Sequence, residues 1–234
     1  MRLSRRAGSP DALLRILLAE AEVELAPPEV AGHPAVRATA RERQLKASEV
    51  LLDQNYHHQA TRQLPDGARR GRPDILHHTL LALLESPLCK EGKLEVAVHT
   101  RHDAFIRIRS DTRLPRGEAR FAGLLQKVLL TGATQDKEPL LWIEGTFAPQ
   151  DCVARFAKGP VVRLDEGGVP RTILQLAERA RDGDLTLVLG CFPAGAFRPD
   201  WMAAAPEAVS LFAQPLNAWA VAAEAVAGFR LRWG

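Results

Sequence analysis

The sequence predicts an α/β domain built around a mostly parallel sheet, and two observations carry that prediction. First, strand-length apolar runs and amphipathic helix patterns alternate in the last third of the chain. They are a strand at Val161 to Leu164, a helix from Arg171 to Arg181, the unbroken run Leu185 to Leu189, and an Ala-rich helix from Leu216 to Phe229. Second, 234 residues with 46% hydrophobic and 25% charged content suffice for one large domain with a buried core. Neither an internal repeat nor a low-complexity tract interrupts the pattern.

Leu13 to Leu18 has the length of a buried strand. The alternation Ala19-Glu20-Ala21-Glu22-Val23-Glu24 that follows suits strand or helix, and Pro27-Pro28 breaks it. His33-Pro34-Ala35 opens a helix to about Lys46. Glu49 to Asp53 reads as a second short strand, and residues 54–72 read as loop, with Asn55, Pro65, Asp66, Gly67 and Gly71. Asp74 is placed to cap a helix from Ile75 to about Glu85, closed by Ser86-Pro87. Leu94 to Thr100 is a strand. The alternation Phe105-Ile106-Arg107-Ile108-Arg109 predicts another, with arginines on its open face. Pro115 suits the first turn of a helix to about Leu130, which Gly132 ends. Residues 131–138 form a polar loop before the strand Leu140 to Glu144, and another loop leads to Val209-Ser210-Leu211-Phe212.

The net charge of +3 is modest, but its distribution is uneven. Between Arg69 and Lys127, twelve Lys and Arg stand against seven Asp and Glu, a surplus of five that leaves the rest of the chain at about −2. A basic middle segment suits an anionic partner bound on one face. Cys89, Cys152 and Cys191 lie far apart and in no CxxC pairing, which points to a reducing compartment and away from a disulfide framework or zinc site. No apolar run approaches the ~18 residues of a membrane span. The basic start Met1 to Arg6 is interrupted before any apolar stretch, so a signal peptide is not expected.

The chemistry-bearing motifs are few. Arg72-Pro73-Asp74 follows Arg69-Arg70-Gly71 and precedes an apolar helix pattern, which suggests a phosphate-binding surface with an acid inside it. Asp74 reads equally as a helix cap or as the partner of Arg72. Arg113, Arg116 and Arg120 share one face if their helix starts near Pro115; they read as phosphate contacts or as a solvated basic face. The adjacent His77-His78 point about 100° apart on a helix, which suits joint metal ligation poorly, and His57-His58, a looser pair on a loop, suits it no better. Gly190-Cys-Phe-Pro-Ala-Gly195 has phosphate-loop spacing, but Ala196-Phe197 stand where Lys-Ser/Thr is required, which excludes a Walker site. Those glycines at a strand's carboxyl end allow close backbone approach by a ligand, or simply a tight turn. Leu216, Trp219, Ala220 and Ala223 form an apolar stripe, for core packing or a dimer face.

Taken in order, these stretches resemble one family, the SPOUT-class methyltransferases specific for nitrogen 1 of a pseudouridine in small-subunit ribosomal RNA. The resemblance rests on Leu18-Ala-Glu-Ala-Glu-Val-Glu-Leu25, Leu51-Leu-Asp-Gln-Asn-Tyr-His-His58, Arg72-Pro-Asp-Ile-Leu-His77, Leu84-Glu-Ser-Pro-Leu88 and Val98-His-Thr100. It continues through Arg113-Leu-Pro-Arg116, Arg120-Phe-Ala-Gly-Leu124, Gly190-Cys-Phe-Pro-Ala-Gly195 and Gln214-Pro-Leu216. It implies a single SPOUT domain over 1–234, with a mostly parallel sheet, a C-terminal trefoil knot and an inserted basic α/β segment at about 55–135. It further implies a cytoplasmic homodimer that binds S-adenosyl-methionine and small-subunit rRNA and serves small-subunit biogenesis, with no membrane and no metal. Leu164, Gly190, Gly195, Leu211, Phe212, Ala213, Gln214, Pro215 and Leu216 are the implied cofactor residues. Arg72, Arg113, Arg116 and Arg120 are the implied RNA contacts, and Asp74 with Arg72 forms the implied catalytic pair, Asp74 acting as base or as brace. The target base is expected to flip out of its RNA loop. A non-catalytic rRNA-binding assembly factor and a SPOUT methyltransferase of tRNA are the rival readings.

Overall fold

Leu14–Ala21 forms β1, a strand buried along its whole length and hydrogen-bonded on both sides. The structure, a computed structural model, describes residues 12–180 and 183–233. The helical unit that follows β1 comprises α1 (Pro28–Ala31), α2 (Pro34–Glu42) and α3 (Gln54–Thr61). Then come α4 (Pro73–Leu84), α5 (Pro87–Lys90), β2 (Leu94–Thr100), β3 (Ala104–Ile108), α6 (Glu118–Thr131), β4 (Leu141–Thr146) and α7 (Pro149–Phe156). The last part comprises β5 (Val161–Pro170), α8 (Ile173–Arg179), β6 (Leu185–Gly190), α9 (Pro199–Ala204), β7 (Ala208–Ser210) and α10 (Ala218–Trp233).

The seven strands form one sheet in the order β4-β3-β2-β1-β6-β5-β7. From β2 to β7 the neighbours are parallel; β3 and β4 close the other edge as antiparallel strands. The predicted α/β class and mostly parallel sheet are therefore present. Side chains alternate across β1 with period two. Leu14, Ile16 and Leu18 enter a core shared with α4, α6, α8 and α10, while Leu17 and Ala19 enter one shared with α7 and α9. A third cluster, including Val30, Val36, Leu52 and Ala60, holds α1 to α3 together beside the sheet. No helix among the described residues is long and apolar enough to cross a membrane.

Several sequence expectations need correction. Glu49 to Asp53 is not a strand. Lys46 and Glu49 close a 3-10 turn at Ala47–Glu49, and only an isolated bridge, Leu25 to Leu51, follows. Residues 54–72 are not all loop, because Asp53 caps α3 by accepting from Asn55 N–H at 2.9 Å. That helix is short and polar, so its apolar pattern is too sparse to register. Pro115 lies outside α6; Gly117 is the cap, and only Arg120 of the three arginines is on the helix. Gly132 ends α6 as expected, with φ at 86°. Asp74 is not the cap of α4, which starts one residue earlier at Pro73. It sits in the first turn, where a carboxylate still suits the helix dipole. The third strand of the last segment ends at Ser210, so Leu211 and Phe212 are in a turn. The helix placed at 216–229 runs instead from Ala218 to Trp233. The expected end of α8 at Arg181 and the reading of Met1 to Arg6 lie outside the described residues. On α10 the buried face is Ala218, Ala222, Ala225, Val226 and Phe229, with Trp219 half-buried; Ala220 and Ala223, and Leu216 ahead of the helix, face outward.

Leu17 is fully buried between β1 and the α7–α9 layer. Leu17→Ala is expected to destabilise the fold by about 2–5 kcal/mol, through lost burial and the residual cavity. Urea unfolding with an unchanged slope checks this; a loss under about 1 kcal/mol contradicts the assigned core.

Candidate functional site

The parallel strands β1, β5, β6 and β7 end on the same edge of the sheet. β6 lies between β1 and β5, and the chain then returns past β5 to reach β7. Crevices at such reversals are the usual ligand sites of α/β sheets. Here the crevice is a cavity of about 260 Å³. Of the predicted cofactor residues, Leu164, Gly190, Gly195, Leu211, Phe212, Gln214, Pro215 and Leu216 line it; Ala213 lies exposed in the same turn and does not. Leu189, Phe192, Phe197, Val221, Asp165 and Glu166 also line it, and sequence reasoning missed them. The acids follow Leu164 inside an apolar-looking strand, so spacing alone offered no signal. At Gly190 an added Cβ would stand 2.7 Å from the Phe192 ring, and Gly195 adopts φ of 91°. Gly190 thus leaves room for the Phe192 ring to pack against the backbone, and Gly195 supplies a left-handed turn.

The loop after Gly190 runs back against the end of β1. Cys191 N–H donates to Ala19 O at 2.8 Å, and Glu22 N–H reaches Cys191 O at 3.4 Å. Beyond Ala19 the strand carries Glu20, Glu22 and Glu24 at alternate positions, all buried. Glu20 adopts a left-handed backbone, φ 54°. Arg69 donates to Glu20 and Glu22, both at 2.6 Å. Arg70 grips Glu24 with two donors at 2.6 and 2.5 Å. Arg101 donates to Glu22 at 2.8 Å, and His102 is 2.9 Å from Glu24. Burial raises the affinity of Glu24 for protons, but the Arg70 fork and His102 lower it further, so its carboxyl is held below the ordinary range. Glu20 moves the other way, because burial outweighs its Arg198 and Arg69 contacts.

Arg72-Pro73-Asp74 is tied to the same strand extension, where Arg72 N–H donates to Glu22 O at 2.8 Å. The Arg72 guanidinium binds Asp74 through two parallel hydrogen bonds of 2.8 and 2.6 Å. Burial raises the Asp74 carboxyl, but the bond and charge of Arg72 prevail and keep it below its ordinary range. Asp74 also lies close to Cys191, whose thiol is pushed far up by burial and then by the charges of Asp74 and Glu22. The motif and the glycine loop are thus neighbours.

The second arginine segment joins them through α4. His77, one turn beyond Asp74, lies 2.7 Å from Pro115 O and stacks on Phe121 with ring centroids 4.4 Å apart. Arg113, Arg116 and Arg120 are exposed and have no carboxylate partner among the described residues, unlike Arg72, Arg101, Arg107 and Arg109. Because Arg113 and Arg116 precede the helix, the three do not share one helix face as the spacing suggested. His57 is structural. It is buried between Thr39 Oγ1 at 2.9 Å and Asp53 N–H at 3.0 Å, and burial followed by Arg43 depresses it to about 4.

The family model described as EMG1/NEP1 methyltransferase matches residues 16–230. The chain is 36% identical over 218 residues to the "Ribosomal RNA small subunit methyltransferase Nep1" of Methanothrix thermoacetophila, covering 93% of this chain and 95% of that protein. It is 39% identical over 231 residues to the protein of the same description from Thermococcus kodakarensis, covering 95% of this chain and all of that protein (100%). The crystal structure of Archaeoglobus fulgidus Nep1 bound to S-adenosylhomocysteine matches with a TM-score of 0.83 and 32% identity, over 93% of this chain and 97% of that one.

The Arg72–Asp74 pair also makes an acid-stability prediction. A carboxyl held below its unfolded value contributes stability above that value and loses it as pH falls through the folded one. Asp74→Asn is therefore expected to cost about 1–3 kcal/mol near neutral pH, the range for hydrogen bonds to charged groups. The difference from wild type should begin to shrink as pH falls below about 4 and vanish only below the lower folded value. Denaturant titrations at pH 7 and pH 3 check it; an equal deficit at both contradicts the pairing.

Proposed function

The chain belongs to the EMG1/NEP1 methyltransferase family, and on that premise we propose that it transfers a methyl group from S-adenosyl-methionine to nitrogen 1 of a pseudouridine in small-subunit ribosomal RNA. The observation that carries this reading is the adjacency of two parts. Gly190 lines the carboxyl-edge cavity, and the backbone of Glu22 bonds both the next residue, Cys191, and Arg72. A donor site and an RNA-facing charge pair thus share a border.

The cavity suits the cofactor chemically. Leu164, Leu189, Leu211, Leu216 and Val221 offer apolar surface for an aromatic base. Asp165 and Glu166 offer carboxylates to hydroxyl and ammonium groups, and the two glycines let backbone come close. Ala213 is assigned a backbone role in the same turn. When bound, S-adenosyl-methionine supplies a methyl group on a sulfonium sulfur. The protein's own part is positioning, because a displacement that discharges a cation needs little acid–base help on the donor side.

Asp74 and Arg72 act on the RNA side. A carboxyl held below its ordinary range is a poor proton acceptor for a ring nitrogen, so its bidentate grip on Arg72 is read as bracing. The Arg72 donors not engaged by Asp74 are then free for base oxygens, where they favour loss of the nitrogen-1 proton to solvent water as the methyl group passes from sulfur to nitrogen and S-adenosylhomocysteine leaves. Arg113, Arg116 and Arg120, unpaired and exposed, hold the phosphate backbone while the target base is flipped toward the cavity. We further assign a trefoil knot to the 185–216 region, and we read 55–135 as a basic insertion within one SPOUT domain. The outward stripe of Leu216, Ala220 and Ala223 is assigned to a homodimer face, and we assign the reaction to the cytoplasm.

The defining experiment incubates the protein with S-adenosyl-methionine and a small-subunit rRNA hairpin bearing pseudouridine or uridine at one site. Mass spectrometry should find one added methyl on the pseudouridine RNA only. Binding without transfer identifies an assembly factor, and transfer to tRNA alone identifies a different substrate; either outcome rejects the reading. In single turnovers Asp74→Asn and Arg72→Lys should each slow methylation by roughly 10²-fold, and the double variant little more, because the two act as a unit. Fully additive losses contradict that. The double variant R113A/R116A should flatten the slope of log affinity against log salt by about 1.4, the single-strand value for two phosphate contacts.

A further inference from the structure

The glycine loop that walls the carboxyl-edge cavity is held from behind by one side chain. Arg69 Nη1 donates to Ala196 O at 3.0 Å, and its guanidinium carbon stands 3.8 Å over the Phe192 ring. Both residues line the cavity, and Gly195 lies between them with its Cβ position 3.6 Å from Arg69 Nη1. Arg69 is itself anchored, with Nε on Glu22 Oε1 and Nη2 on Glu20 Oε2, both at 2.6 Å. Glu20 uses its other oxygen to accept from Arg198 N–H at 2.8 Å, which pins the far end of the same loop. One buried carboxylate and one guanidinium thus fix three points along residues 192–198.

We propose that Arg69 is a positioning residue for the methyl donor: the planar guanidinium, clamped by Glu20 and Glu22, sets the shape of the 192–198 wall and thereby the affinity of the cavity for S-adenosyl compounds. The proposal rests on the cofactor reading of that cavity. Only a guanidinium performs all of these tasks together. It presents a flat face to Phe192 while its edge donates to two carboxylates and one carbonyl. A lysine ammonium at the same place neutralises the acids but lacks both the face and the fork. Arg69 touches no reacting atom, and the RNA-side pair Arg72–Asp74 has its own hydrogen bonds, so its loss falls on donor binding rather than on RNA binding.

The test compares wild type, R69K and F192L by calorimetry with S-adenosylhomocysteine, by binding to the pseudouridine hairpin, and by thermal melting. R69K keeps a cation beside Glu20 and Glu22, so it folds, whereas Arg69→Ala strands two buried carboxylates. R69K should bind S-adenosylhomocysteine roughly ten- to a hundredfold more weakly, the factor expected for loss of a charge-assisted hydrogen bond. Its hairpin affinity should stay at the wild-type value. In turnover the KM for S-adenosyl-methionine should rise while the KM for RNA holds. F192L should weaken donor binding in the same direction, and it decides the matter if R69K does not fold. Variants that match wild type in donor affinity overturn the positioning role alone. A wild-type protein that takes up no S-adenosylhomocysteine overturns the cofactor reading and the proposal with it.

Discussion

The site depends on a stripe of three buried carboxylates at the end of the central strand. Glu20 lies near the end of β1 and Glu22 and Glu24 continue beyond it, all with side chains at most 4% exposed. Burying an ion costs several kcal/mol, repaid only when its oxygens are fully engaged by well-placed partners. Here the partners come from distant places: Arg69 and Arg70 from the turn before α4, Arg101 and His102 from the β2–β3 turn, and the Arg198 backbone from the start of α9. Each pairing fixes a chain segment relative to β1. The left-handed Glu20 adds a backbone cost of roughly 1–2 kcal/mol, and it lies where the strand must turn to serve both Arg69 and Arg198.

This arrangement explains how a chain with little obvious catalytic chemistry builds a reactive centre. Glu22 of the strand extension joins the glycine loop to Arg72-Pro73-Asp74, its N–H reaching Cys191 O and its carbonyl accepting from Arg72 N–H. Both segments are thus held to one buried stretch of backbone, which sets their separation before any ligand arrives. Arginine is used at 69, 70 and 72 because each side chain must engage a carboxylate with two donors, or two carboxylates at once, which an ammonium cannot do in one plane.

Much of the architecture was legible because it is written in long apolar periods. β1, β2, β6 and the body of α6 follow from runs whose burial is one-sided or complete. What escaped was set by short polar contacts. α3 has only a few buried residues and begins on an Asp53 cap, and the start of α6 depends on Gly117 and the His77–Pro115 contact rather than on Pro115 itself. The cavity residues placed by resemblance nearly all line the crevice, and Phe192 lies inside the quoted glycine loop, whereas Asp165 and Glu166 were invisible, since a parallel crossover brings them there and no local spacing encodes it. One signal was present and unused. Acids at 20, 22 and 24 alternate as a strand edge would, and the basic run 69–72 is their complement in charge.

Pairing also sorts the basic middle of the chain into two populations. Arg69, Arg70, Arg72, Arg101, Arg107 and Arg109 each meet a carboxylate, so their charges are spent inside the protein. Arg113, Arg116 and Arg120 meet none among the described residues and are exposed. The field that an anionic polymer senses therefore arises mainly from the second population, although the first is the larger. Neutralised arginines make rigid geometry and free ones make long-range attraction. A sequence count adds the two together, which is why the surplus of five marks a basic segment without showing which arginines form its surface. Arg72 is held by Asp74 through two donors and still keeps part of its guanidinium exposed, so in the proposed reaction it serves both as a structural tie and as a contact.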